Sequence, residues 1–501
     1  MKSKAATRAA LGAAVAVTWA AAAVAGAADT WTNTSGNGLW TSGANWQDGS
    51  APQWPDVVTF PMLVPGSPVL TLPGAPTAAN AAATSLYFYG SYTLNGGTLE
   101  MPGAPITVGP AALTTINSKI SSTTGLAKDG NGTLVLGGDN SNTLQGDVHI
   151  NDGALRYSSD ANLGQTWTRL FIHDTLEIDS TFTSMKRMEP ANGTIRVTAG
   201  NTFTLAANDQ FGFTQSDALY LDGPGTIVRT GHTSRFGTTY IIGGTTKLQN
   251  GDFGYGPLVV GDATLEFGPS PFTSPSFLSN ATTLGANSVL RAVGAAQAQN
   301  VSGQAAVAMN ATIAAATAGA TFEINLKDNP GSAASVFHLA GPGTIKLMDL
   351  GLQYAGGWTI EGATLRLASP TSLGSGTSPI PVSGGGGVLL ASTSFGRALD
   401  LADGSTLRAT GTSSSSARLQ LAPGANVTIG TLAFGDHLQI VGSTSKINGT
   451  SATATAPSSS VTVDGAGKVT LGTTNDFNGQ WWLNSGTLRV DHQGALGGNG
   501  P

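Results

Sequence analysis

The sequence predicts an all-β chain wound into a right-handed parallel β-helix or a closely related β-solenoid. Three observations carry that expectation. Only 10% of the 501 residues are charged and 69 are glycine, against about 25% and roughly 7% in ordinary globular chains. Four segments repeat one glycine-punctuated strand pattern. Between them, short runs alternate apolar and polar residues with the period of two that buries one face of a strand and wets the other.

In chain order, residues 1–28 read as an export signal. Lys2, Lys4 and Arg8 precede an apolar run from Ala9 to Ala25, broken by Gly12 and Thr18, that ends in Ala25-Gly26-Ala27-Ala28. A basic start, an apolar middle and small residues at the cleavage point define such a leader, and the cut is expected after Ala27 or Ala28. A membrane anchor is the other reading, but an alanine-rich run is weakly apolar for that purpose. The leader holds three of the 23 basic residues and none of the 29 acidic ones, so its loss takes the net charge from −6 to −9.

Residues 29–86 form a tryptophan-rich segment. Trp31, Trp40, Trp46 and Trp54 lie close together, followed by Pro55-Asp56-Val57-Val58-Thr59-Phe60. A solenoid exposes apolar core and unpaired strand edges at its first rung, so a cap is needed there. A tryptophan cluster supplies one with few residues. An aromatic platform for sugars is the alternative.

The solenoid is expected over 87–501, with repeat copies near 130–164, 223–254, 341–376 and 465–498. Each opens on a glycine turn: Gly130-Asn131-Gly132, Gly223-Pro224-Gly225, Gly341-Pro342-Gly343 and Gly465-Ala466-Gly467. A strand follows, then a later strand pair around Gly153, Gly244, Gly362 or Gly486. From the second glycine of each turn to that later glycine is 21, 19, 19 and 19 residues. A rung of about 20 residues stacking at about 4.8 Å gives on the order of 20 rungs and a rod of roughly 100 Å. An array of β-sandwiches is the competing architecture, but domain linkers and a series of Asn-Gly hairpins are missing. The Ala-rich stretch 292–320 is a weak helix, since Gly294, Gly303, Val307, Thr312 and Gly319 interrupt it. Thr410–Ala417 and Ser451–Ser460 are expected to be insertion loops.

The repeats resemble those of the autotransporter-associated β-strand repeat proteins, bacterial exported proteins with passenger-like β-helices. Gly132-Thr133-Leu134-Val135-Leu136-Gly137-Gly138-Asp139-Asn140 is similar to the first half of that repeat, and Leu144 to Leu155 to the second. Asn162-Leu163-Gly164 and Ala495-Leu496-Gly497 are similar to its ending. The match is good over the first and fourth copies, fair in the third and poor in the second. Such repeats imply architecture and no chemistry. Autotransporters of this kind end in an outer-membrane barrel, whereas this sequence stops at Gly500-Pro501 directly after a repeat. The natural gene is therefore expected to continue, and the 501-residue chain to associate end to end through an uncovered last rung.

Parallel β-helices also host pectin-degrading enzymes, so the residues were searched for chemistry. With no cysteine, disulfides, thiolate zinc sites and cysteine nucleophiles are excluded. The Asn-Thr-Asp, Asp-Asp and Gly-His-Gly signatures of polygalacturonases find only Thr474-Asn475-Asp476 and Gly231-His232-Thr233, which do not fit. Glu177 with Asp179, or Asp400 with Asp403, could hold a cation, but exposed carboxylates on a wet face account for both. His149, His173, His232, His338, His437 and His492 are scattered, without metal-ligand spacing. No Gly-x-Ser-x-Gly elbow or Walker loop occurs. Gly384-Gly385-Gly386-Gly387 reads as a turn, and Lys186-Arg187 is a lone basic pair that makes no nucleic-acid footprint. Trp358, Trp481 and Trp482 are either sugar platforms or packed partners of a loop.

No catalytic, cofactor-binding or metal residue is therefore assigned, and no cofactor is expected. The expected protein is exported, non-enzymatic and extracellular or at the cell surface or outer membrane of a bacterium, serving adhesion or structure. A polysaccharide-active lyase or glycoside hydrolase is the alternative. Surface glycans, other proteins and self-association are the expected partners. Nucleic acid is excluded, and a membrane would be met only through a missing C-terminal segment.

Overall fold

Strands of this chain pair in parallel from the first turn to the last. The computed structural model describes residues 27–62, 68–72, 81–103, 105–206, 217–233, 235–249, 252–268, 276–303, 309–326, 335–348, 354–441, 447–449 and 459–497. Most of the leader and residues 451–458 lie outside that set. The pairing is that of a parallel β-solenoid, and it excludes an array of antiparallel sandwiches. Among the described residues there is no α-helix, and the helical content is two short 3-10 segments at Gly43–Asn45 and Asp160–Leu163. The alanine-rich stretch is strand, at Ala295–Gly303 and Asn310–Ala315.

One long ladder of 21 strands runs the length of the molecule. It begins at Val69–Thr71 and reaches Gln480–Leu483, each strand paired to the next turn rather than closed on itself. Its companions change along the axis. An eight-stranded ladder from Ala28–Thr30 to Arg187–Pro190 flanks it at the start, with a three-stranded ladder completing the early turns. A 13-stranded ladder from Phe182–Ser184 to Ile447–Gly449 then takes over, and a five-stranded one from Ser394–Phe395 to Thr487–Val490 joins late.

The glycine repeats are the corners between ladders. Gly130, Gly223, Gly341 and Gly465 have φ of +75°, +90°, +90° and +128°, a region that L side chains rarely enter. On the next turn, Gly153, Gly244 and Gly486 sit directly above. A Cβ on Gly153 would lie 2.4 Å from the Gly130 carbonyl oxygen and 2.5 Å from that of Gly132. At Gly244 and Gly486 the equivalent distances are 2.3 and 2.4 Å, and 2.2 and 2.7 Å. One hydrogen bond recurs in all four copies: Ala154, Thr245, Thr364 and Thr487 each donate their amide to the second glycine of the corner below, at 3.0–3.1 Å. The second copy, poorest in sequence, therefore has the same stacked corner as the first. The third departs. An extra residue, the fully buried Ala363, separates Gly362 from Thr364, and the nearest atom to a Cβ on Gly362 is 3.6 Å away.

The same corner joins different ladders in different copies. In the first it leads from the eight-stranded ladder into the long one, and in the second from the long ladder into the 13-stranded one. In the third it runs back from the 13-stranded ladder into the long one, and in the fourth it leads from the long ladder into the five-stranded one.

Inside, side chains of one type stack in columns. Leu134, Leu155, Leu176, Ile195, Leu221, Ile241, Val260 and Leu284 follow one another in register on the long ladder and are wholly buried. At the first turns the inward column of the eight-stranded ladder is aromatic, with Phe60 stacked on Phe88 at 4.4 Å. Trp31 and Trp40 each pack edge-on against Trp46 at 4.9 Å, over Phe60, and the Trp46 indole donates to the Trp40 carbonyl at 2.7 Å. Trp54 is not in this cluster.

One expected loop is a strand. Thr412–Ser415 pairs with His437–Ile440, and Ser413 and Ser415 point inward. The Ser413 hydroxyl donates to the Leu390 carbonyl at 3.3 Å, so a serine fills an apolar position by bonding the backbone beneath it. Gly384 to Gly387 is, as expected, a turn leading into the strand Gly387–Ala391.

Hydrogen–deuterium exchange tests the corner. Gly153→Ala places a methyl group against two carbonyl oxygens and is expected to lower the opening free energy of peptides around 126–156 by about 3 kcal/mol or more. Gly200→Ala carries a similar backbone strain (φ +78°) but points into open space, and should cost about 1 kcal/mol locally.

Candidate functional site

The carboxylates that could have formed a cation site are bound by the protein itself. Arg156, one turn below Glu177 in register, reaches Glu177 at 2.7 Å and Asp179 at 3.5 Å. Asp400 lies 3.8 Å from Arg418, while Asp403 accepts the Asn426 amide at 2.8 Å and its side-chain nitrogen at 3.0 Å. Those bonds hold the Asp403 carboxyl below the usual range. Among the described residues no group of three or more metal-ligating side chains occurs. Elsewhere charges also pair between turns, as in Arg196–Asp222 and Lys346–Glu323.

The histidines stay apart in role. His149 lies flat on Phe171 at 4.5 Å, with burial lowering its pKa. His338 bonds Thr359 and Asn310, His437 bonds Thr470, and His232 bonds Asp252. Asn475 is structural. Its oxygen accepts the Ile447 amide and its nitrogen donates to the Ala495 carbonyl, as Asn140 does between Ile120 and Asn162.

Sequence reading missed a set of buried cations. Lys128, Lys186, Arg229, Arg235 and Arg397 are buried, and each donates to backbone carbonyls at turns. The Lys128 ammonium bonds the carbonyls of Asp129, Gly130 and Asp152 at 3.0, 2.6 and 2.8 Å. Lys186 does the same for Gly164 and Gln165, so the lone basic pair is half internal, and Arg187 pairs with Glu189 at 2.7 Å. Burial pushes Lys128 and Lys186 down to about 8, against the nearby carboxylates that raise them.

What the flank offers is aromatic surface. Phe236 stacks on Tyr255 at 5.1 Å, the latter 72% exposed. Trp358, weighed as a sugar platform, is instead 1% exposed, packs on Phe337 and donates to the Leu373 carbonyl at 3.1 Å. Trp481 packs on Phe477 and donates to the Leu496 carbonyl at 2.8 Å, leaving Trp482 turned outward.

Trp54 stands out because it borders a groove. A turn at Gln53–Asp56 presents it: the Asp56 amide donates to the Gln53 carbonyl at 2.7 Å, and the Asp56 carboxylate accepts the Gln53 amide at 2.9 Å. Thr84 on the next turn donates to the Asp56 and Pro55 carbonyls, which pins that turn to the solenoid. Trp54 is 57% exposed and faces Glu100, Met101 and Pro102 across about 270 Å³. Ser121 to Thr123 complete the wall, with Ser121 opposite Glu100 in register. Ser122 is fixed by donating to the Gly125 carbonyl at 2.7 Å.

The fold and these surfaces define a parallel β-solenoid repeat protein whose recognisable assets lie along its flank. The repeat itself matches the passenger-associated-transport repeat, at residues 126–156, 340–367 and 461–490. Each match falls on one glycine corner and the turn stacked upon it. Over 82 residues, 15% of this chain, the sequence is 44% identical to the adhesin autotransporter BmaC of Brucella suis biovar 1 (strain 1330). That stretch spans 2% of the relative's length. No solved structure matches the chain.

The buried lysines give a pH dependence of definite sign. In the unfolded chain lysine keeps its proton to about pH 10.5, whereas Lys128 and Lys186 release theirs near 8 when folded. The unfolded state binds more protons between those values, so stability rises as pH climbs from about 8 toward 10. Above that, buried Tyr92 and Tyr354, whose burial raises their pKa, act in the opposite sense. Urea midpoints measured across this range are expected to rise, and to rise less in Lys128→Met.

Proposed function

We propose that the chain is the exported, non-enzymatic passenger portion of a bacterial surface protein, and that its flank makes adhesive contacts. The single observation that carries this reading is the passenger-associated-transport repeat lying on the structural corners of the solenoid. The relative named as an adhesin points the same way, as does the leader-like composition of residues 1–28. Outward aromatic residues such as Trp54, Trp167, Tyr255 and Trp482 supply apolar contact area on a weakly charged chain.

The test is location and processing. Expressed from its full gene in its native cell, the chain is expected to be labelled by antibody on intact cells and to begin at Ala28 or Asp29. Retention inside the cell with residues 1–28 attached would overturn the proposal. Incubation with pectate or alginate, with and without calcium, is expected to give no turnover. Turnover lost on Glu177→Gln or Asp400→Asn would favour the polysaccharide-active reading instead.

A further inference from the structure

We infer that the Trp54 groove is a binding site for a neutral hexopyranose chain of two or three units. The inference deepens the surface-adhesion reading and rests on it for its biological setting. Three features of the groove specify the ligand. Trp54 presents an open aromatic face from a turn locked by two internal hydrogen bonds and pinned by Thr84. An indole held in place this way stacks on the C–H face of a sugar ring at little cost in ordering.

Opposite it, Glu100, Ser121 and Thr123 bring a carboxylate and two hydroxyls to the groove, beside the exposed Pro102. Carboxylate and hydroxyl oxygens accept from vicinal sugar hydroxyls, and Pro102 offers an apolar edge to the ring. The wall is also layered. Glu100 and Ser121 are register partners on adjacent turns, about 4.8 Å apart along the axis, close to the length of one pyranose unit. A short oligosaccharide laid along the axis thus finds polar groups at each step.

Charge selects among glycans. Its described lining residues include one carboxylate and no lysine or arginine, on a chain of net charge −6. Uronate chains are therefore repelled, and neutral or N-acetylated hexoses are favoured.

The experiment is calorimetric titration of the full chain with cellotriose, maltotriose and chitotriose, with trigalacturonate as the anionic control. At least one neutral trisaccharide is expected to bind with a Kd on the order of 1 mM or tighter. Trp54→Ala should weaken it by about tenfold or more, Trp54→Phe by less, and Glu100→Gln several-fold. Circular dichroism and urea midpoints should be unchanged in all three, since Trp54 and Glu100 are both exposed. The proposal is overturned if no neutral trisaccharide binds, if binding survives Trp54→Ala, or if trigalacturonate binds as well. Antibody labelling of intact cells separates the two readings. Labelled cells without saccharide binding sink the groove alone, and unlabelled cells sink the surface assignment whatever the calorimeter shows.

Discussion

The structure depends on one close approach. At three of the four glycine corners the carbonyl oxygens of one turn occupy the space where a β-carbon of the next would be, as at Gly153 above Gly130 and Gly132. Only a residue without a side chain, in the left-handed region, can stand there. Everything else follows from keeping that contact. The turns stack at strand spacing, the ladders stay parallel and in register, and each inward column receives the same kind of residue turn after turn. Repetition in the sequence reflects this contact condition, met again at each copy of the repeat.

A chain with so few charges uses them economically. Outward charges meet opposite ones on the next turn, as Arg156 meets Glu177 and Lys346 meets Glu323, where exposure keeps each pair's contribution small. Inward cations have a different task. Turn carbonyls that lack strand partners, that of Gly130 at the first glycine corner among them, are met by a lysine or arginine threaded from the core, which satisfies two or three of them. Lys128 and Arg235 bond carbonyls in this way.

Fold class, strand alternation and corner glycines were legible because each is a local pattern with one physical cause. Thr133-Leu134-Val135-Leu136 can alternate only as a half-buried strand, and Gly130-Asn131-Gly132 can turn only where glycine is needed. The failures have causes as well. Thr410 to Ala417 reads as a loop by composition, yet its serines alternate as apolar residues would, with hydroxyls returned to the backbone. Gly362 keeps the spacing of its counterparts but loses their crowding, because spacing along the chain cannot register one inserted Ala363. Lys128 looks like any polar strand residue until its column, between Ile106 and Ile150, is known. The groove was half legible. Trp54 was visible as one of four neighbouring tryptophans, but that three turn inward and one outward is decided by the turn at Gln53–Asp56 and its anchor on Thr84.

The migration of one corner motif among four ladders bears on how such a molecule responds to force. Its hydrogen bonds run along the long axis, so tension applied to the two ends loads them in line, and each turn is held chiefly by its immediate neighbours. A turn that gives way from one end converts about 4.8 Å of stacked length into roughly 70 Å of extended chain for about 20 residues. The remaining turns keep their registers, since the corner beneath them is the same contact whichever ladders it joins. The molecule can thus lengthen by more than ten times the rise of each turn it yields, in discrete increments, without losing the order of the rest.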